Sequence, residues 1–227
     1  MDFSIILDNL PLLFKGLGLT LQLLALSLII GFTLSIPIAI SAANKSFWIS
    51  FPAKAFIYVF RGTPLLIQLF IIYYGLSQFD WLRESVLWVV FKEAYWCAVI
   101  GFALNTAAYM AEICRGAILQ TSKGEVEAAD AYGLSSWDKY RHVILPSALR
   151  RSIPMYGNEV IFMLHATVLA GVITLVDLFG AAKILNSRYY APFESFISVG
   201  IFYLAITFII VFIFKLIEHR YLRYLKR

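Results

Sequence analysis

The chain has 227 residues, of which 61% are apolar and only 15% charged, with a formal net charge of +5. An ordinary soluble domain carries about 25% charged residues, so this composition excludes that class and points to lipid. The excess charge is expected to gather on one membrane face, where anionic headgroups attract lysine and arginine, and it gives no argument for nucleic acid.

The start, MDFSIILDNL, lacks the basic region of a signal peptide, and the apolar run after it is too long for a cleaved segment, so it is expected to be retained. Residues 3–14 are expected to form a short helix at the outer interface. Five apolar stretches follow, at 16–44, 62–79, 94–111, 160–176 and 195–214. Each is near or above the ~20 residues that a helix needs to cross the hydrocarbon, and the first is long enough to tilt or project. The predicted fold is one all-α membrane domain over residues 1–227, with five spans and the termini on opposite sides.

Lysine and arginine choose the orientation. With the N-terminus outside, the inner segments hold Lys45, Lys54, Arg61, Arg115, Lys123, Lys139, Arg141, Arg150, Arg151, Lys215, Arg220, Arg223, Lys226 and Arg227. The outer ones hold Lys15, Arg83, Lys92, Lys183 and Arg188, a bias of fourteen to five that follows the positive-inside rule. The N-terminus is therefore expected outside and the C-terminus in the cytoplasm.

In chain order, Arg61 closes the inner end of the second span, where Gly62 and Pro64 break the helix and Thr63 is expected to cap the next one. Arg61 reads either as a lipid-phosphate anchor or as a gate or subunit contact. On the third span Asn105, Tyr109 and Glu112 recur at i, i+4 and i+7 and so share a face. Asn105, near mid-membrane, reads as lining a path or as bonding to another helix. Glu112 has Arg115 three residues on, which predicts a local ion pair. Cys97 and Cys114 lie about 25 Å apart along this helix, beyond disulfide reach, and no metal ligand set is expected.

The polar island at about 120–147 is the most informative segment. Lys123 onward reads as a short helix rich in alanine and glutamate, capped by Ser122 or Thr121 and stopped at Gly133. Glu125 and Glu127 suit its positive N-terminal end, and Ala128, Ala129 and Ala131 permit close approach of another protein. Ser135 or Ser136 is expected to cap a second short helix with Trp137, Tyr140 and Val143, ending at Pro146. Composition alone also allows a merely solvated loop.

Glu159 opens the fourth span. An ionisable group there is a functional hypothesis, either a contact for a cationic ligand or a pair with a basic residue of a partner subunit. Thr167 lies about 80° around the helix from it and can join the same cavity, whereas His165 lies about 240° away and is expected to touch a neighbouring helix. No G-x-x-x-x-G-K-[ST] phosphate loop occurs in the sequence, so the chain is not expected to bind ATP itself.

The segment EAADAYGLSSWDKYRHVILP (127–146) resembles the EAA loop of permease subunits in bacterial ABC importers, with Val143 where isoleucine is usual. FRGTPLLIQLF (60–70) and ALNTAAYMAEICRGAI (103–118) resemble the polar amino-acid permeases of that superfamily. NEVIFMLHATVLA (158–170) looks most like the M-type permeases of histidine, lysine, arginine and ornithine importers and like opine permeases; His165 and Ala166 stand where many relatives have Lys-Asp. The resemblance implies a type I importer permease fold in the bacterial inner membrane. It implies that Glu125, Glu127, Ala128, Ala129 and Gly133 couple to an ATPase, and that Asn105, Glu159 and Thr167 line the substrate path. Arg61, Tyr109 and His165 are then gate or subunit contacts. The implied partners are a second permease, similar or identical, two ATPase subunits that bind ATP and Mg, and a periplasmic amino-acid-binding protein.

An ion-coupled carrier or channel is the rival reading; it predicts paired intramembrane acids or a repeat of broken helices across two halves, and neither is clear in the sequence. A membrane hydrolase would need a motif such as H-E-x-x-H or G-x-S-x-G, and the sequence has neither.

Overall fold

A computed structural model describes residues 4–222, and every regular element among them is helical. Phe3, Arg223, Lys226 and Arg227 lie outside the described residues. The helices run α1 (Ser4–Asp8), α2 (Leu10–Ala42), α3 (Phe47–Gly62), α4 (Leu65–Phe70), α5 (Asp80–Arg83), α6 (Trp88–Phe91), α7 (Ala94–Leu119), α8 (Lys123–Ala131), α9 (Ser136–Lys139), α10 (Leu145–Ala166), α11 (Leu178–Tyr189) and α12 (Pro192–Tyr221). A wide π turn, Ile71–Gly75, prolongs α4, and another, Tyr140–Ile144, joins α9 to α10; a 3-10 segment, Thr167–Ile173, prolongs α10.

Among the described residues, four helices are long and apolar enough to cross a membrane: Leu10–Ala42, Ala94–Leu119, Ser136–Ile173 and Pro192–Tyr221. Phe47–Gly62 and Leu65–Gln78, bent by 104° against each other, make a fifth if the pair is one span. All five predicted stretches thus fall on helix, but three boundaries move. Residues 3–14 do not form one interfacial helix, because Leu10–Phe14 already belongs to α2, with Pro11 in the first turn where its missing N–H costs nothing. Leu13 there is fully buried and packs with Leu178, Ala182 and Leu185. If the bent pair is one span, the second span begins earlier than expected, since 47–61 is helical and the break then falls within it. The fourth begins earlier too: Pro146 does not end the helix, because the wide turn before it opens the backbone where the proline ring would meet the carbonyl of His142.

The central helix is α7. In its most apolar window 72% of residues are buried, against 11% for α12, which places α12 at the rim. Small residues explain the packing of α2 on α7. Beside Leu13, Leu23 and Leu24, the buried face of α2 carries Gly16 and Thr20, which meet the start of α11, and then Ser27, Gly31, Ser35, Ala39 and Ala42, and small side chains let helices approach closely in lipid. A Cβ added at Gly31 would lie 2.7 Å from the Thr106 side chain of α7.

Candidate functional site

The break between α3 and α4 builds the site. Pro64 has no N–H, so the carbonyl of Phe60, four residues back, loses its helical donor. Thr63 is extended, with φ −114° and ψ 144°, and turns the chain. Its hydroxyl donates back to Val59 O at 2.8 Å, so it ends α3 rather than capping α4, whose N-cap position is Pro64. Gln68, one turn into α4, supplies the missing donor: its Nε2 lies 2.8 Å from Phe60 O, 2.8 Å from Thr63 Oγ1 and 3.1 Å from Thr63 O. Asn105 of α7 donates from Nδ2 to Gln68 Oε1 at 3.3 Å and to Phe60 O at 3.4 Å. Two buried amides therefore satisfy a backbone that the bilayer would leave unpaired.

Beside this break lies a cavity of about 510 Å³, walled by Arg61, Thr63, Asn105, Tyr109, Glu159 and Phe162 among others. Glu159 is 6% exposed and Asn105 8%, so each reaches the cavity through a small part of its surface. No side chain among the described residues lies within ion-pair distance of the Glu159 carboxylate. Arg61 packs its guanidinium over the ring of Tyr109, 5.2 Å from the centroid, a cation–π contact at the edge of the space.

Four of the residues singled out from the sequence thus come together: Arg61, Asn105, Tyr109 and Glu159. Thr167 does not join them. It is fully buried at the start of the 3-10 segment, with its hydroxyl donating to Leu164 O at 2.6 Å. His165 is exposed on another face of α10. Glu112 and Arg115 form the expected pair, with Arg115 Nε donating to Oε2 at 2.8 Å and Nη2 to Oε1 at 2.5 Å. Sequence reasoning missed Gln68 and Phe162; the signal for Gln68 was Pro64 itself, which orphans a carbonyl one turn before it.

At one end of the bundle the polar island folds as two capped helices. Ser122 Oγ accepts from the Glu125 N–H at 3.2 Å, and Ser135 Oγ does the same for Asp138. Gly133 adopts φ +72°, and its N–H bonds to Asp130 O at 2.9 Å while the Leu134 N–H bonds to Ala129 O at 3.1 Å. That paired closure needs a left-handed residue at 133, which glycine adopts without strain. Glu125, Glu127, Ala128, Ala131 and Tyr132 face outward, whereas Ala129 is buried against the protein itself.

Arg151 of α10 ties this loop to the bundle. Its Nη2 donates to Ala117 O at 2.9 Å and to Thr121 Oγ1 at 3.0 Å, and its Nη1 to Ser147 Oγ at 2.6 Å. Ser147 in turn donates to Glu125 Oε2 at 3.2 Å. The last turn of α7, the loop helix α8 and the root of α10 are linked through one guanidinium.

Among known proteins, the octopine transport system permease protein OccM of Rhizobium meliloti is 46% identical over 206 residues, 91% of this chain and 84% of that one. The histidine/lysine/arginine/ornithine transport system permease protein HisM of Escherichia coli K12 is 42% identical over 214 residues, 94% of this chain and 90% of that one. A crystal structure of an amino acid ABC transporter with histidines superposes with a TM-score of 0.85 at 34% identity, covering 97% of this chain and 99% of that one. Residues 35–223 match the family described as binding-protein-dependent transport system inner membrane component, and with more than half of its length inside that match, the chain belongs to this family of membrane permeases.

Proposed function

We propose that the chain is one membrane subunit of an ATP-driven importer of basic amino acids, of the kind named for its histidine, lysine, arginine and ornithine relatives. The observation that carries this reading is the carboxylate of Glu159, free of any ion pair among the described residues and facing a cavity at the break of a span. A buried acid without a cation is costly in lipid, and a guanidinium, ammonium or imidazolium side chain of the substrate relieves that cost. Opines are the second reading, favoured by the octopine and nopaline relatives at 46% and 43% identity.

In this reading the N-terminus faces the periplasm, and the C-terminus and the polar island face the cytoplasm of a bacterial cell bounded by this inner membrane. A second permease, similar or identical, completes the pathway, a periplasmic binding protein delivers ligand, and two ATPase subunits bind ATP and Mg below. Their closure moves α8 through Glu125, Glu127, Ala128 and the turn at Gly133. Arg151 passes the displacement to α7 and α10, which carry Asn105, Tyr109 and Glu159. Arg61 and Tyr109 stand as the gate of the cavity, and His165 faces a neighbouring subunit.

The test is ATP-dependent uptake of radiolabelled arginine, lysine and histidine by the complete assembly in liposomes, with its binding protein present. Uptake of any of the three, lowered about tenfold or more in a Glu159→Gln variant that still assembles with its ATPase, is the expected result. An assembly that takes up an opine and none of the three moves the assignment to the second reading, and one that forms without an ATPase removes the coupling role of the loop.

A further inference from the structure

A second cavity, of about 450 Å³, adjoins the first and is walled by Lys54, Ile57, Tyr58, Arg61, Glu112 and Arg115. Arg61 and Gly62 belong to both walls. The first cavity is walled by one acid and one base, the second by three bases and one acid. That one acid is already engaged, since Glu112 holds Arg115 through two hydrogen bonds. Lys54 donates to the hydroxyl of Ser50 at 3.4 Å, and Arg61 lies over the face of Tyr109. Neither lies within ion-pair distance of a carboxylate among the described residues. The wall thus holds two cations that lie outside ion-pair distance of any carboxylate among the described residues, in a recess between α3 and α7. Such a recess concentrates positive potential and attracts an oxyanion.

We infer that the second cavity is an oxyanion subsite that receives the α-carboxylate of the amino acid on Lys54 and Arg61, while the cationic end of the same ligand lies at Glu159 across their shared wall. The inference rests on the reading of the first cavity given above. An amino acid with a basic side chain carries its side-chain cation at one end of an extended chain and its α-carboxylate, beside the α-ammonium, at the other, which matches an acidic recess joined through Arg61 to one that holds three bases and one acid. A lipid phosphate has the same oxyanion chemistry, and the experiment separates the two sources.

The complete assembly in phosphatidylcholine nanodiscs, without nucleotide or binding protein, is titrated with radiolabelled arginine and with agmatine, the same guanidinium chain lacking the carboxylate. Lys54→Gln is expected to weaken arginine about tenfold and to move agmatine by no more than about twofold. Glu159→Gln weakens both ligands, and if it weakens neither while the Lys54 effect stands, the reading of Glu159 fails and the subsite survives. Equal effects of Lys54→Gln on the two ligands, no effect on either, or no arginine binding by the unsubstituted assembly overturns the subsite. Phosphatidylglycerol discs provide the last arm. If anionic lipid abolishes arginine binding and Lys54→Gln restores it, the oxyanion is a lipid phosphate and the assignment to substrate is overturned.

Discussion

Gln68→Leu keeps the bulk of the side chain and removes the amide that reaches Phe60 O and both oxygens of Thr63. With Pro64 unable to donate, Phe60 O is left to Asn105 alone and the Thr63 oxygens lose this donor, and the variant is expected to lose about 1–3 kcal/mol of stability. Thermal unfolding of the detergent-purified assembly measures it, and a cycle with Asn105→Ala should be non-additive because both amides serve one carbonyl. An unfolding temperature equal to that of the unsubstituted protein would mean that the break is held by packing instead. At this scale the sequence was legible where spacing fixes a face. Asn105 and Tyr109 share a cavity wall as their i, i+4 relation requires, and Asn105 both lines the space and bonds across helices. Thr167 was placed by helical angle on the assumption that α10 continues regularly. The α-helix does run on to Ala166, but an angle does not say what packs over a side chain: Thr167 is fully buried and its hydroxyl bonds to its own helix.

The capped loop helices were readable because capping is local: a serine before the first turn and a glycine after the last act through neighbouring N–H and C=O groups. Pro146 misled because its usual effect is also local, and a wide turn upstream cancels it. The helical nature of 47–61 was hidden for another reason: Lys54 and Arg61 read as a connection, whereas α3 carries them on the side that walls the two cavities. Arg151 had no sequence signal for its tie to α7 and the loop, since apart from Ser147 on its own helix its partners lie 30 and 34 residues away. Arg151→Gln is expected to leave ATP hydrolysis by the assembly largely intact and to lower substrate moved per ATP about tenfold, because the loop helix keeps its caps but loses its tie to α7 and α10. Uptake and phosphate release measured on the same liposomes decide it. A parallel fall of both rates would indicate a folding defect, and Arg151→Lys, which keeps the charge and one donor direction, should recover part of the ratio.

For the whole molecule, the two ends of the bundle differ in what they gather. The turn after α2, with Asn44 and Lys45, shares a recess with Thr121, Val126, Ser136 and Lys139 of the loop and the end of α7. At the other end the start of α2 lies against the start of α11, where a Cβ on Gly16 would meet Asp177 O at 2.7 Å and the Thr20 hydroxyl accepts from the Leu178 N–H at 3.1 Å. Alternating spans therefore sort the cations into two groups, one containing Lys45 and Lys139 and the other Lys183 and Arg188. The positive-inside rule assigns the first group to the cytoplasm. Single cysteines test that assignment. Cys97 and Cys114 are both buried, so their replacement by alanine gives a background without reactive surface thiols. In that background Lys45→Cys and Arg188→Cys place a thiol at each exposed end. A membrane-impermeant maleimide added to intact cells should label the cysteine at 188 and spare the one at 45, and inverted membrane vesicles should reverse the pattern. Labelling of position 45 from outside would turn the molecule over, put α8 on the side away from any cytoplasmic ATPase, and remove the route by which the loop could drive Glu159 and Arg61.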